Sequence, residues 1–178
     1  MNPTRQRLVI IACGIVLWAI TAQINHYLAP WHLSLFTGGL AIAFPALRLP
    51  QRDIWRIVLP LGLWHDAASA APFGAHMLLF LLAAALIRRF RARIPRTDTI
   101  VGILAAILAN TLVIIALTIA LAMRGHLHAA NLWTLALNTT LSAVFIALVA
   151  RWYFALQTRA LIHAGISARL QAEQTTRG

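Results

Sequence analysis

The chain has 178 residues, 61% of them apolar and only 11% charged, with a net charge of +11. Its mean hydropathy is +0.78. Soluble domains are roughly 45–50% apolar, so the composition is that of a polytopic, all-α membrane protein and excludes a soluble fold with a large core. The length suits one compact bundle over 1–178 and leaves no room for a second domain.

The charge could suggest a nucleic-acid partner. However, all 15 basic residues are arginine and gather at the ends of apolar runs, whereas a nucleic-acid footprint needs a water-exposed basic face. No nucleic-acid partner is expected, and the arginines read as topology determinants in a lipid bilayer.

Six spans follow in chain order, at about 8–28, 31–47, 54–71, 73–90, 99–122 and 131–156. A helix rises about 1.5 Å per residue and the hydrocarbon core is about 30 Å thick, so about 20 residues suffice to cross. Spans one, five and six meet that length; two and three are short. Cys13 in the first span loosely resembles a lipoprotein cleavage box, but only Leu8 to Ala12 separate it from Arg7. An h-region needs roughly 7–15 apolar residues, so an uncleaved first span is expected. Pro30 and Trp31 open span two after a tight turn, and Leu49-Pro50-Gln51 breaks the chain after it. Ala70-Ala71-Pro72 forms a very short turn, with Pro72 expected at the first position of span four. A basic loop, Arg88, Arg89, Arg91, Arg93 and Arg96, follows that span. Beyond about 157 a polar tail begins, in which Ile162, Ile166 and Leu170 suggest a surface amphipathic helix.

With six spans and both termini cytoplasmic, fourteen of the 15 arginines fall inside and only Arg124 outside. That is the partition positive-inside bias demands.

Several polar residues sit inside apolar runs. Asn110 and Thr111 in span five, and Asn138, Thr139 and Thr140 in span six, are expected to bond across helices or line a cavity. Small-residue pairs at helix-packing spacing are Gly39 with Ala43, Ala105 with Ala109, Ala116 with Ala120, and Ala143 with Ala147. His26, His32, His126 and His128 fall near the outer end, but no carboxylate or cysteine joins them, so no metal site and no cofactor are expected. The chain has four acidic residues, Asp53, Asp66, Asp98 and Glu173, and none of the hydrolase, phosphate-loop or zinc motifs. No catalytic residue is assigned. Asp53 and Asp98 stand beside arginines and read as solvated charge pairs.

Asp66 differs, because it lies about ten residues past Arg56 and hence roughly 15 Å along the span. A carboxylate at that depth marks either a specific partner or an ion pathway. The turn at 71–72 brings Asp66 level with His76, and span four opens with no side-chain oxygen to cap it. A structural fastening, with Asp66 accepting from His76 and from amides near Phe73 to Ala75, is the favoured reading; a proton pathway is the alternative.

The stretch from Leu61 to His76 resembles the signature of the MreD family of bacterial rod-shape-determining membrane proteins. The matching positions are Gly62, Asp66, Ser69, Pro72, Gly74 and His76. Ala70 stands where a glycine commonly follows the serine, and Trp64-His65 replaces a commoner aliphatic pair. The resemblance implies a non-enzymatic component of the cell-elongation machinery in the bacterial inner membrane. It would bind an MreC-like bitopic protein, beside an SEDS glycosyltransferase and a class B penicillin-binding protein, coupled to MreB filaments in peptidoglycan synthesis. The fold implied is similar to that of the substrate-binding components of energy-coupling-factor transporters. The second functional reading is therefore a vitamin-type transporter component, with His26, His32, Asn131 and Asn138 as its candidate ligand groups. An intramembrane enzyme ranks third, for want of a nucleophile and base.

The arginine partition sets the first test. Single cysteines at positions 92 and 127, in a Cys13-free background, are exposed to an impermeant thiol reagent added to intact cells. Labelling at 127 alone is expected; labelling at 92 and not at 127 would overturn the six-span topology.

Overall fold

The computed structural model describes residues 3–69, 72–91, 99–123 and 131–163. Within them the chain is helical: α1 (Pro3–Leu28), α2 (Gly38–Arg48), α3 (Gln51–Ala67), α4 (Ala75–Arg91), α5 (Thr99–Ala122) and α6 (Asn131–His163), with a single 3-10 turn at Ala29–Trp31. Three helices, α1, α5 and α6, are long and apolar enough to cross a membrane.

The arrangement is a ring around a centre. Contacts run from α1 to α3, α3 to α4, α4 to α5, α5 to α6 and back to α1, while α2 touches all five. A helix that is apolar on every side belongs in such a centre, and α2 is buried continuously from Gly38 to Ala46. Its packing depends on Gly39, where a Cβ would collide with the carbonyl of Ala106 and the amide of Asn110 on α5. The outward faces carry a ladder of exposed apolar residues, such as Leu104, Leu108, Ile115 and Ile119 on α5. So large a continuous apolar exterior is expected of a surface that meets lipid.

Two charged contacts tie one end of the ring. Arg7 of α1 pairs with Asp53 in the first turn of α3 at 2.7 Å, both side chains largely buried. The partner of Asp53 is thus Arg7, 46 residues away, and not a neighbouring loop arginine. Arg91 on α4 donates from Nη1 to the carbonyl of Leu49 at 2.7 Å, placing a cation at the C-terminus of α2, where the helix dipole favours it.

Some boundaries differ from expectation. The span expected at 31–47 is helical only from Gly38; residues 33–37 have no regular structure, and His32 is left-handed at φ 55°. The reason is that side chains elsewhere take over the amide partners a helix would have supplied, as described below. The span expected at 73–90 begins as a helix at Ala75, with Pro72 outside it, because Gly74 at φ +92° interrupts the chain between them. α6 continues without a break past position 156 to His163, so Ile162 belongs to it and not to a separate surface helix. Residues 164–178, including Ile166, Leu170, Arg169 and Glu173, lie outside the described residues, as do Arg93, Arg96, Asp98, Arg124, His126 and His128. Of the small-residue pairs, Ala143 with Ala147 does not form a buried seam, since Ala147 is exposed.

Candidate functional site

Two non-helical breaks meet at one end of the bundle, and each is closed by side chains from elsewhere in the chain. The first break lies between α3 and α4. Gly62 lets these helices touch, since a Cβ there would lie 2.5 Å from the Cα of Met77. One turn further on, Asp66 comes against the start of α4. Gly74 accepts the amide of Leu78 at 3.0 Å and so occupies the capping position of α4, with no side chain to cap it. Asp66 supplies the missing cap from the neighbouring helix. Its Oδ1 accepts the backbone N–H of His76 at 2.8 Å, and its Oδ2 accepts that of Met77 at 3.1 Å. These are the second and third helical positions, the amides an N-cap oxygen ordinarily serves. The Nδ1 of His76 adds a third bond to Oδ1 at 3.1 Å. The amide donors are therefore His76 and Met77, not the Phe73 to Ala75 group expected, because Gly74 shifts the helix start by two residues.

Placing Asp66 at the C-terminal end of α3 is unfavourable for that helix's own dipole. The amides of α4 outweigh this, and at 3% exposure Asp66 has no aqueous alternative.

The second break is the segment 32–37. Asn25 of α1 pairs with Leu35 as a strand would, accepting its N–H at 2.6 Å and donating to its carbonyl at 2.9 Å. Ser34 N–H is accepted by Asn138 Oδ1 at 3.0 Å, and Phe36 N–H by Ser142 Oγ at 3.0 Å, both on α6. Gly39 N–H, in the first turn of α2, is accepted by Asn110 Oδ1 of α5 at 3.1 Å. The hydroxyls of Thr21 and Thr37 meet at 3.0 Å. Asn110 and Asn138 thus do bond across elements, but to backbone rather than to another polar side chain. Thr139 and Thr140 bond back to their own helix, at the carbonyls of Leu135 and Ala136.

Phe36 links the two breaks. Its ring centroid lies 5.7 Å from that of His65, 5.9 Å from that of His76 and 6.2 Å from that of Phe80. The imidazoles of His65 and His76 stack at 5.7 Å. Beside this cluster is a cavity of about 310 Å³ lined by Trp18, Thr21, Asn25, His65, Ser69 and His76, among others. His26, His32 and Asn138, proposed from sequence as ligand groups, do not line it. Sequence reading missed Asn25 and Ser142, which sit within apolar runs just as Asn110 and Asn138 do.

Asp66, His76 and Ser69 are the residue types of a hydrolytic triad, but their geometry is not that of a relay. Ser69 Oγ lies 3.5 Å from Nδ1 of His76, the same nitrogen that faces Asp66, whereas a nucleophile must meet the opposite ring nitrogen. Among the described residues no group of three candidate ligands could hold a metal ion. The chain matches no protein-family model, no curated protein and no solved structure.

The cap sets the second test, a double-mutant cycle on thermal stability in detergent. Interhelical hydrogen bonds in membranes average about 0.6 kcal/mol, so Asp66→Ala, which removes three, is expected to cost about 2 kcal/mol. Asp66→Asn keeps an acceptor for His76 but turns an NH2 toward Met77, so its loss is expected to be intermediate. Of the three cap bonds His76→Ala removes only that of Nδ1, along with the ring contacts to Phe36, His65 and Phe80, and its penalty should shrink by about 0.6 kcal/mol in the Asp66→Ala background. Strictly additive losses would contradict the pairing.

Proposed function

We propose that this chain is a multi-pass protein of the bacterial inner membrane and a non-enzymatic component of the cell-elongation machinery, in the manner of the MreD family. Six crossings with both termini cytoplasmic are part of this reading. The short α2 does not argue against it. Residues 33–36, at no more than about 3.3 Å each, and the 11-residue helix at about 1.5 Å per residue together reach at most about 30 Å, the thickness of the core.

The observation that carries the proposal is that the family-like residues gather in one hairpin, most with a physical task. Gly62 allows the close approach to Met77, Asp66 caps α4, Gly74 takes the positive φ, and His76 completes the cap. Pro72 ends the turn, its carbonyl accepting the amide of Ala75 at 3.0 Å. A rigid hairpin of this kind suits a scaffold that presents fixed helix faces to an MreC-like bitopic partner, with an SEDS glycosyltransferase, a class B penicillin-binding protein and MreB filaments as the wider assembly. The reading assigns no cofactor.

One observation favours the second reading, a substrate-binding component of a vitamin-type transporter. The cavity of about 310 Å³ lies against a break in regular helix and is lined by aromatic and polar groups. Interrupted helices and convergent polar groups accompany solute sites in transporters.

Depletion in a rod-shaped host separates the two. Under the elongation reading the cells round up and an MreC-like protein co-purifies with the tagged chain. Normal rods after depletion, with high-affinity vitamin binding by the purified protein, would replace it with the transporter reading.

A further inference from the structure

The ring of helices closes most loosely between α1 and α6, which flank a groove of about 890 Å³. Its walls are apolar, with Val16 and Ile20 from α1 and Val149 and Leu156 from α6, yet Arg151 and Arg159 also line it. Neither guanidinium has a hydrogen-bond or ion-pair partner among the described residues. The two described carboxylates are engaged elsewhere, Asp53 with Arg7 and Asp66 with His76.

The depth of these arginines matters. The helices run antiparallel: Asn25 near the end of α1 and Asn138 near the start of α6 hold adjacent residues, Leu35 and Ser34. Arg159 therefore lies toward the end of the bundle marked by the Arg7–Asp53 pair. Arg151 stands eight residues further in, about 12 Å along the axis. An arginine inside an apolar span is costly unless it snorkels to the interface or finds an anion.

We propose that this groove is a binding site for one anionic phospholipid of the leaflet at the Arg7 end. Its phosphate is held between Arg151 and Arg159, and an acyl chain lies along Val16, Ile20 and Val149. Charge decides the occupant. An apolar helix from a partner would bury both guanidiniums unpaired, and a symmetric second copy would set the same cations against each other. A phosphate satisfies both, and arginine's planar fork matches its oxygens. The proposal rests on the membrane placement of the chain and is independent of the cell-elongation reading.

The test is lipid retention by the full-length purified chain, measured by native mass spectrometry during titration with phosphatidylglycerol or phosphatidylcholine. One phosphatidylglycerol is expected to bind tightly, and phosphatidylcholine much more weakly. Arg151→Gln and Arg159→Gln should each weaken phosphatidylglycerol about fivefold, the equivalent of about 1 kcal/mol per arginine, and the double variant about 25-fold. Arg151→Lys with Arg159→Lys keeps the charge without the planar fork and should bind more tightly than the double Gln variant but less tightly than wild type. The control is Arg88→Gln with Arg89→Gln, which makes the same charge change on α4, away from this groove, and should stay within twofold of wild type. Equal retention of the two lipids, or equal losses in the control, would reduce the effect to general membrane electrostatics and overturn the site. So would disulfide-linked dimers from Val16→Cys in a Cys13-free background, which would show a second copy in the groove.

Discussion

A backbone amide away from water must find an acceptor, and in hydrocarbon only helices and closed barrels supply their own. This constraint organises the bundle more than any single apolar contact. The chain leaves regular helix at 32–37 and again around Gly74, and at both places acceptors arrive from distant sequence. Asp66 serves the amides of His76 and Met77. Asn25, Asn138 and Ser142 serve Leu35, Ser34 and Phe36. Each break is permitted by side chains that would otherwise be polar groups without a purpose in an apolar run.

The breaks also assemble the centre of the fold. The irregular segment delivers Phe36 onto His65 and His76, so the α3–α4 hairpin and the entrance to α2 pack as one unit. Gly39 then lets α2 press against the backbone of α5, where Asn110 accepts its amide. The cavity beside Thr21, His65 and His76 is what remains where the side chains of two breaks meet without filling the space. The opposite behaviour is seen between α1 and α6, whose long apolar faces are held by few polar ties and stand open as a groove.

Much of this was legible in the sequence where composition governs and little where geometry does. The three long apolar helices are visible as runs of about 20 apolar residues, and α5 covers Thr99–Ala122, the bounds expected of the fifth run. Asp66 was conspicuous because a carboxylate in an apolar run has few explanations. Its donors were misplaced by one or two residues because the positive φ of Gly74 cannot be read from Pro-Phe-Gly. The irregular entrance to α2 was missed because Leu33 to Thr37 is as apolar as a helix, and hydropathy does not reveal which backbone will bond to side chains. Asn25, Asn110, Asn138 and Ser142 carried the information jointly. Two buried groups, Asn110 and Ser142, and two half-buried ones, Asn25 and Asn138, need donors, and a non-helical segment is what provides them.

The most direct measurement is amide hydrogen exchange, resolved to single residues, on the full-length protein in detergent. An interhelical hydrogen bond in a membrane contributes about 0.6 kcal/mol, so Asp66→Ala should speed exchange at His76 and at Met77 about threefold each. Asn138→Ala should do the same at Ser34, with the middle of α5 unchanged in both variants. Exchange at His76 and Met77 that is as slow in Asp66→Ala as in wild type would contradict the account, because α4 would then be capped by something other than the carboxylate of α3.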